Sequence, residues 1–215
     1  MKTPELISTI KKALNLLVNS ADELRDLDQV LGDGDLGITV SAGANAVIGM
    51  LESADSNQKP AQVTRVCAKA FANANPSTMA ALVAGGLLAG SKIWNDKEEI
   101  SRSDAEAFIR AAADSIAQRG KSKVGDKTIL DAIVPACDAL RDCPADGDAM
   151  EAVITAAAAA VVETRNLQSR RGRASWLQDR SIGLQDPGAT AFLRLLEAWR
   201  DATTGEVSEP LARMK

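Results

Sequence analysis

The 215-residue sequence predicts an all-α protein, an eight-helix antiparallel barrel or bundle. Apolar residues recur at helical spacing, no window alternates like a strand, and the breaks between helical stretches are mostly short. The predicted helical stretches are 3–20, a short one at 21–30, then 38–53, 60–73, 77–94, 103–119, 127–141, 147–165 and 187–202. This length suits one domain over residues 1–215, with a core at about 5–203 and a short C-terminal tail.

Composition excludes several classes of protein. The net charge of −4 does not supply the basic face that nucleic-acid binding needs. The longest nearly apolar run, residues 152–162, is about half the length of a membrane span, and the N-terminus has no signal-peptide pattern. Three cysteines without a CxxC pair are typical of reduced thiols, so we expect a cytoplasmic protein that binds neither nucleic acid nor membrane.

The sequence contains no histidine. This excludes phosphohistidine relays, imidazole general bases and histidine metal ligands within the chain. A bound metal would therefore be held by oxygen or sulfur. Because aspartates are common and paired cysteines are absent, a hard cation such as Mg²⁺ is the first expectation.

An acidic loop follows the second helical stretch, in the string LDQVLGDGDLG. Its carboxylates are Asp28, Asp33 and Asp35. Two such charges 4 Å apart repel by about 1 kcal/mol in water and about 4 kcal/mol at an effective dielectric of 20, so a converging trio favours cations. The helix that begins near Ile38 would direct its free N–H groups to the same place, which suits phosphate. The alternative is a solvated loop that only caps this helix.

The tripeptide Asp-Gly-Asp recurs at residues 146–148, directly before an alanine-rich helical stretch. No third carboxylate lies upstream at a similar distance there. We therefore predict plain N-capping at this second copy.

Two further breaks carry polar residues that suit phosphate. Ser77 and Thr78 precede a helix and could cap it or donate hydrogen bonds to a phosphate. At 125–131, Asp126 is expected to cap a helix whose first turn contains Lys127 and Thr128. A lysine in a first turn is disfavoured by the helix dipole, which indicates a role elsewhere for Lys127.

The longest irregular stretch, residues 166–186, is rich in arginine and aspartate, and we call it the lid segment. It contains Arg173 and Arg180, whose guanidinium groups could each grip phosphate oxygens. The alternative is a surface ion pair with Asp179 or Asp186.

Taken in order, these segments resemble the L subunit of dihydroxyacetone kinases, the nucleotide-binding domain of those enzymes. The matching strings are LDxxxGDGDLG at 27–37, GDKTILD at 125–131 and GRASWLQDRSIGLQDPGA at 172–189, with a looser match at NPSTMAALVAGG. The resemblance covers residues from about 5 to 200, and its last string is long and specific.

The resemblance implies an eight-helix barrel that binds ADP or ATP at one end, with two Mg²⁺ ions bridging the phosphates. The implied magnesium ligands are Asp28, Asp33 and Asp35. The implied phosphate loop holds Ser77 and Thr78. The other implied nucleotide-site residues are Thr128 and Ile129 beside the nucleotide, Arg180 as a phosphate clamp, and Asp186, Pro187 and Gly188 closing the site.

In such enzymes a K-type substrate-binding subunit holds the ketose covalently through its own histidine. A partner subunit that holds the ketose fits a chain without histidine. No catalytic side chain is assigned in this chain, apart from Arg180 as a phosphate clamp. The phosphate donor is left open between ATP and a bound ADP recharged by a phosphotransferase-system phosphoprotein. The sequence also leaves a homodimer open.

Two departures from the family pattern lie at the phosphate end. Leu36 stands where the family commonly has a histidine, and the loop at 73–79 lacks the usual Gly-rich form. Because of these two departures, the sequence does not identify the phosphate donor or the ketose that is phosphorylated. The competing functions are a fatty-acid-kinase-type nucleotide domain and a nucleotide-sensing regulator that binds a protein partner.

Overall fold

The computed structural model describes residues 1–213, and that part of the chain contains nine α-helices and no strand. The last two residues of the predicted domain, 214 and 215, lie outside the described residues. The helices are α1 (Thr3–Leu17), α2 (Ala21–Leu31), α3 (Leu36–Glu52), α4 (Pro60–Ala74), α5 (Thr78–Ile93), α6 (Arg102–Gly120), α7 (Leu130–Asp142), α8 (Ala149–Glu163) and α9 (Pro187–Thr204). None of them is both long enough and apolar enough to cross a membrane.

Eight of these helices form a ring. From α3 to α9 each helix packs on the next, and α1 packs on both α9 and α3, which closes the circle. The short α2 lies outside the ring and packs on α3 and α9. The predicted all-α class is confirmed, and the count rises from eight to nine because the 21–30 stretch is a separate helix.

Small residues let neighbouring helices of the ring approach closely. A Cβ atom at Gly90 on α5 would lie 2.6 Å from the ring of Phe108 on α6, so the approach requires glycine there. The same ring of Phe108 stacks on Trp94 with centroids 4.2 Å apart. Tight contacts of this kind fix the ends of the helices relative to one another.

Short connections make successive helices run in alternating directions, which puts α3, α5, α7 and α9 with their N-termini at one end of the ring. The longest connection, between α8 and α9, contains the lid segment. It is not fully irregular, since it includes 3₁₀ turns at Thr164–Asn166 and Arg173–Ser181. The N-terminal end of these four helices is where the predicted site residues lie.

Candidate nucleotide and metal site

A cleft of about 360 Å³ opens where the four helix N-termini meet. Its lining includes the first residues of α3, α5 and α9 and the turn directly before α7, together with part of the lid segment. Free N–H groups at a helix N-terminus bind anions, and here four such ends face one cleft. The cleft therefore suits a ligand that carries several negative charges.

A second cleft, of about 410 Å³, is bordered by α2, residues 184–185 and the C-terminal tail. Its lining includes none of the acidic-loop carboxylates at 28, 33 and 35, and none of the four helix starts. The two clefts are similar in volume, so size does not distinguish them. The chemistry of the lining favours the first.

The three predicted metal ligands come together at the mouth of the first cleft. Asp28, Asp33 and Asp35 each offer a carboxylate oxygen, and these oxygens lie within 4.8 Å of one another. Asp28 is held by the backbone N–H of Leu36, which donates to its Oδ2 at 3.2 Å. Gly32 makes the turn possible, because a Cβ atom there would lie 2.6 Å from Oδ1 of Asp28.

The electrostatics of this acidic cluster are unfavourable without a cation. Partial burial raises the pKa of Asp28, and the charges of Asp33 and Asp35 raise it further. The backbone N–H groups of Leu36 and Gly34 act in the opposite direction. A cluster made only of carboxylate oxygens fits a hard divalent cation such as Mg²⁺, since such ions prefer oxygen ligands.

An arginine from the lid segment provides positive charge at the cluster. Nη1 of Arg173 lies 2.9 Å from Oδ2 of Asp33 and 3.9 Å from Asp35. Arg180, in contrast, is exposed and is not among the residues that line the cleft. The structure thus brings Arg173 to the site and does not bring Arg180 there.

The α4–α5 connection forms the next wall. Ser77 is the N-cap of α5, and its Oγ accepts a hydrogen bond from Ala80 N at 3.1 Å. Thr78 is the first residue of α5 and also lines the cleft. Asn75 ties this connection to α3, because its Nδ2 donates to Thr39 Oγ1 at 2.9 Å. Capping is thus the observed role of the Ser77 hydroxyl.

Leu36, which directly follows the third aspartate of the acidic loop, is buried among apolar neighbours. It shares a core cluster with Leu24 and Val40. Its contribution at the cleft mouth is the backbone N–H that donates to Asp28. The side chain therefore stabilises the packing of α3 and offers no donor to a phosphate.

The turn before α7 differs from the prediction. The helix begins at Leu130, not at residue 127, and Lys127 adopts a left-handed conformation with φ of 60°. Asp131 organises the turn, because its carboxylate accepts hydrogen bonds from Gly125 N at 2.6 Å and Thr128 N at 2.7 Å. Thr128 and the following Ile129 then line the cleft, and their contact with a nucleotide stays a prediction.

Asp126 does not cap a helix. It is buried, and its Oδ2 accepts hydrogen bonds from Lys123 N and from Nε of Arg171, both at 3.2 Å. The cap was predicted because Asp126 directly precedes the helical stretch expected at 127–141. The competing partner, Arg171, lies 45 residues further along the chain, so no local signal could identify it.

The start of α9 closes the cleft. Asp186 caps this helix, since its Oδ2 accepts a hydrogen bond from Ala189 N at 2.7 Å. Burial raises the pKa of the Asp186 carboxyl to about 6, the nearby charge of Asp131 also raises it, and the Ala189 N–H and the Lys127 ammonium lower it. Pro187 and Gly188 complete this wall of the cleft.

Comparison with known proteins shows the family and the fold of the chain. The DAK2 domain family matches residues 30–201 of the chain. The "PEP-dependent dihydroxyacetone kinase 1, ADP-binding subunit DhaL" of Listeria innocua is 36% identical over 182 residues, covering 81% of this chain and 84% of that protein. The corresponding ADP-binding subunit of Escherichia coli is 25% identical, covering 90% and 93%.

Longer proteins match as well. The "L-erythrulose 1-kinase" of Mycolicibacterium smegmatis is 32% identical, and the match covers 90% of this chain but 34% of that protein. The crystal structure of the dihydroxyacetone kinase from C. freundii in complex with AMP-PNP and Mg²⁺ superposes with a TM-score of 0.72 at 22% identity. That match covers 92% of this chain and 34% of the kinase chain, so the chain has the fold of about one third of it.

Proposed function

The chain belongs to the DAK2 domain family, and we propose that it is the nucleotide- and magnesium-binding domain of a kinase of the dihydroxyacetone family. The observation that carries this proposal is the cleft in which three carboxylates face four helix N-termini. Carboxylates repel an anionic ligand, so the two can share this cleft when cations lie between them, while the helix N–H groups bind the anion directly.

The acidic cluster is proposed to hold two Mg²⁺ ions through Asp28, Asp33 and Asp35. When bound, magnesium supplies the charge neutralisation that allows nucleotide phosphates to lie against carboxylates. The chain itself supplies orientation. Thr78, the first residue of α5, lines the cleft, and the free N–H groups at that helix start are suited to bind the phosphates.

Arg173 is proposed as the phosphate clamp in place of Arg180. Its guanidinium already lies at the acidic cluster, and it can form bidentate hydrogen bonds with phosphate oxygens. Thr128 and Ile129 would contact the nucleotide, and Asp186, Pro187 and Gly188 would close the site around it. These groups act by positioning and charge stabilisation, as is general in phosphoryl transfer.

The acceptor is proposed to be dihydroxyacetone or a related three- or four-carbon ketose held by a K-type substrate-binding subunit. The chain has no histidine through which it could hold a ketone. The names of two relatives as ADP-binding subunits of phosphoenolpyruvate-dependent kinases favour bound ADP, recharged by a phosphotransferase-system protein, over direct use of ATP.

Two experiments test the proposal. Purified protein is desalted and its nucleotide content is measured. We expect ADP to remain bound in the presence of Mg²⁺, whereas rapid exchange would favour ATP as the donor. Sugar-phosphate formation is then measured with a panel of short ketoses, with this chain and a substrate-binding subunit omitted in turn.

We expect transfer only when both proteins and Mg²⁺ are present, because the reacting hydroxyl must be held in line with the phosphate. Saturable turnover by this chain alone would contradict the subunit assignment. Nucleotide binding without transfer in any combination would favour a nucleotide-sensing regulator.

A further inference from the structure

Lys127 is a buried lysine at the edge of the proposed nucleotide cleft. The residue is 2% exposed. A lysine in such a position would ordinarily be assigned to the phosphates, since ammonium groups bind phosphate as point charges. The contacts of its ammonium do not support that assignment.

The Nζ atom of Lys127 donates to three backbone carbonyls. It lies 3.1 Å from the oxygen of Leu167, 2.6 Å from that of Leu184, and in short contact with that of Ser181. An ammonium group has three N–H donors and no acceptor. All three donors are therefore used, and none remains for a phosphate.

The three carbonyls lie at both ends of the lid segment. Leu167 is at its beginning, and Ser181 and Leu184 are near its end. One cation thus ties together two stretches of backbone whose nearest members are 14 residues apart (181 − 167). The residues between them include Arg173, which reaches the acidic cluster.

Asp126 strengthens the same attachment. Its backbone oxygen accepts a hydrogen bond from Arg170 N at 3.0 Å, and its carboxylate accepts one from Arg171. The next residues after Lys127 line the cleft. The turn at residues 126–129 therefore joins the wall of the nucleotide cleft to the two ends of the lid segment, which we call its base.

We propose, on the basis of the proposed function, that Lys127 is a positioning residue that clasps the base of the lid segment and so holds Arg173 over the acidic cluster. It does not bind the phosphates itself. The left-handed conformation of this non-glycine residue turns the side chain to the lid segment, and the three hydrogen bonds offset the cost of that conformation.

The first test is limited proteolysis without nucleotide. Trypsin can cleave after Arg170, Arg171, Arg173 and Arg180, which are exposed. Lys127→Met removes the three hydrogen bonds while keeping most of the side-chain length, and we expect cleavage within 170–180 to become about tenfold faster. Lys123→Met is the matched control, because Lys123 is exposed on the same turn. An unchanged cleavage rate in Lys127→Met would overturn the proposal.

The second test is a double-mutant cycle read by titration with Mg²⁺ and ADP. If Lys127 acts through Arg173, Arg173→Ala should weaken binding in the wild-type background and have little further effect in Lys127→Met. Additive losses would instead show that Lys127 does not act through Arg173 and would overturn the proposal.

Lys127→Arg covers the case in which Lys127→Met does not fold. The clasp predicts intermediate cleavage and intermediate coupling for this variant, because a planar guanidinium cannot reproduce all three hydrogen bonds. If Lys127→Arg were cleaved at the wild-type rate, and Arg173→Ala weakened binding as much in that background as in the wild type, the result would count against the clasp. Failure of the wild type to bind Mg²⁺ and ADP would refute the proposed function, and the proteolysis would still decide whether the clasp exists.

Discussion

The tripeptide Asp-Gly-Asp occurs twice in this chain, and the two copies do different things. At 146–148 it precedes α8, and Oδ1 of Asp148 accepts hydrogen bonds from Met150 N and Glu151 N, each at 3.0 Å. At 33–35 it precedes α3, where Asp35 occupies the N-cap position but makes no side-chain hydrogen bond to the helix.

The difference lies in what surrounds each copy. The second copy uses its carboxylate for its own helix, so its charge is already satisfied. The first copy meets Asp28 from the preceding helix and Arg173 from 140 residues further along the chain. Its carboxylates have hydrogen-bonding capacity left for a ligand. The tripeptide is the same in both places. What makes the first copy a candidate metal site is therefore the set of residues that tertiary structure brings next to it.

The largest expected effect separates the two copies directly. Asp33→Asn combined with Asp35→Asn should weaken Mg²⁺-dependent ADP binding at least about 1,000-fold, or about 4 kcal/mol, because the cation loses two anionic ligands. The matched control is Asp146→Asn with Asp148→Asn, which should leave binding unchanged. Calorimetric titration of both double variants is the measurement. Equal ADP affinity of the two double variants would show that the two Asp-Gly-Asp copies do not differ in metal binding.

A second prediction compares the exposed cap Asp148 with the buried cap Asp186. The folded pKa of Asp186 is about 6, above its ordinary 3.8, so its contribution to stability is present below about pH 4 and lost as the pH rises through 6. Asp186→Asn keeps the cap oxygen and removes this titration. We therefore expect the wild-type free energy of unfolding to fall, relative to the variant, by about 2 kcal/mol between about pH 4.5 and pH 7.

Urea unfolding of both proteins at the two pH values, without nucleotide or magnesium, measures that difference. The same comparison for Asp148→Asn is the control. The free energy of unfolding could differ between wild type and Asp186→Asn by the same amount at both pH values. That result would show that the Asp186 carboxyl is not held in an unfavourable charged state.

A third prediction concerns the arginine that meets the first copy. Arg173→Ala should weaken binding of Mg²⁺ and ADP about tenfold, or about 1.4 kcal/mol, because a guanidinium at the cluster is lost. Arg180→Ala should change it less than about twofold, since an exposed arginine away from the cleft has no such contact. A larger loss of binding for Arg180→Ala than for Arg173→Ala would show that Arg180 is the phosphate clamp, as the sequence alone indicated.

The smallest effect concerns the second copy. Asp148→Ala should lower the free energy of unfolding by about 1 kcal/mol, the usual cost of losing an N-cap. Asp35→Ala, measured without magnesium, should cost less, because that side chain makes no cap and its removal relieves repulsion. Chemical denaturation of the two variants compares them, and a larger loss for Asp35→Ala would mean that the first copy is also structural.

Much of this protein could be predicted from local sequence. Helical spacing and helix breakers placed all nine helical stretches, with boundaries that mostly lie within a few residues of those observed. The absence of histidine and the order of the acidic loop, the GDKT turn and the lid segment were enough to indicate the family. These features are local, because helix periodicity, capping and motif strings depend on residues close together in the chain.

The tertiary structure decided which charged side chains meet. Arg173 and not Arg180 reaches the acidic cluster, Asp126 binds Arg171 in place of capping α7, and the ammonium of Lys127 is directed to the lid segment. Each of these pairings joins residues from 40 to 140 positions apart. Such contacts depend on how the ring of helices brings distant loops to one end, and neither composition nor spacing contains that information.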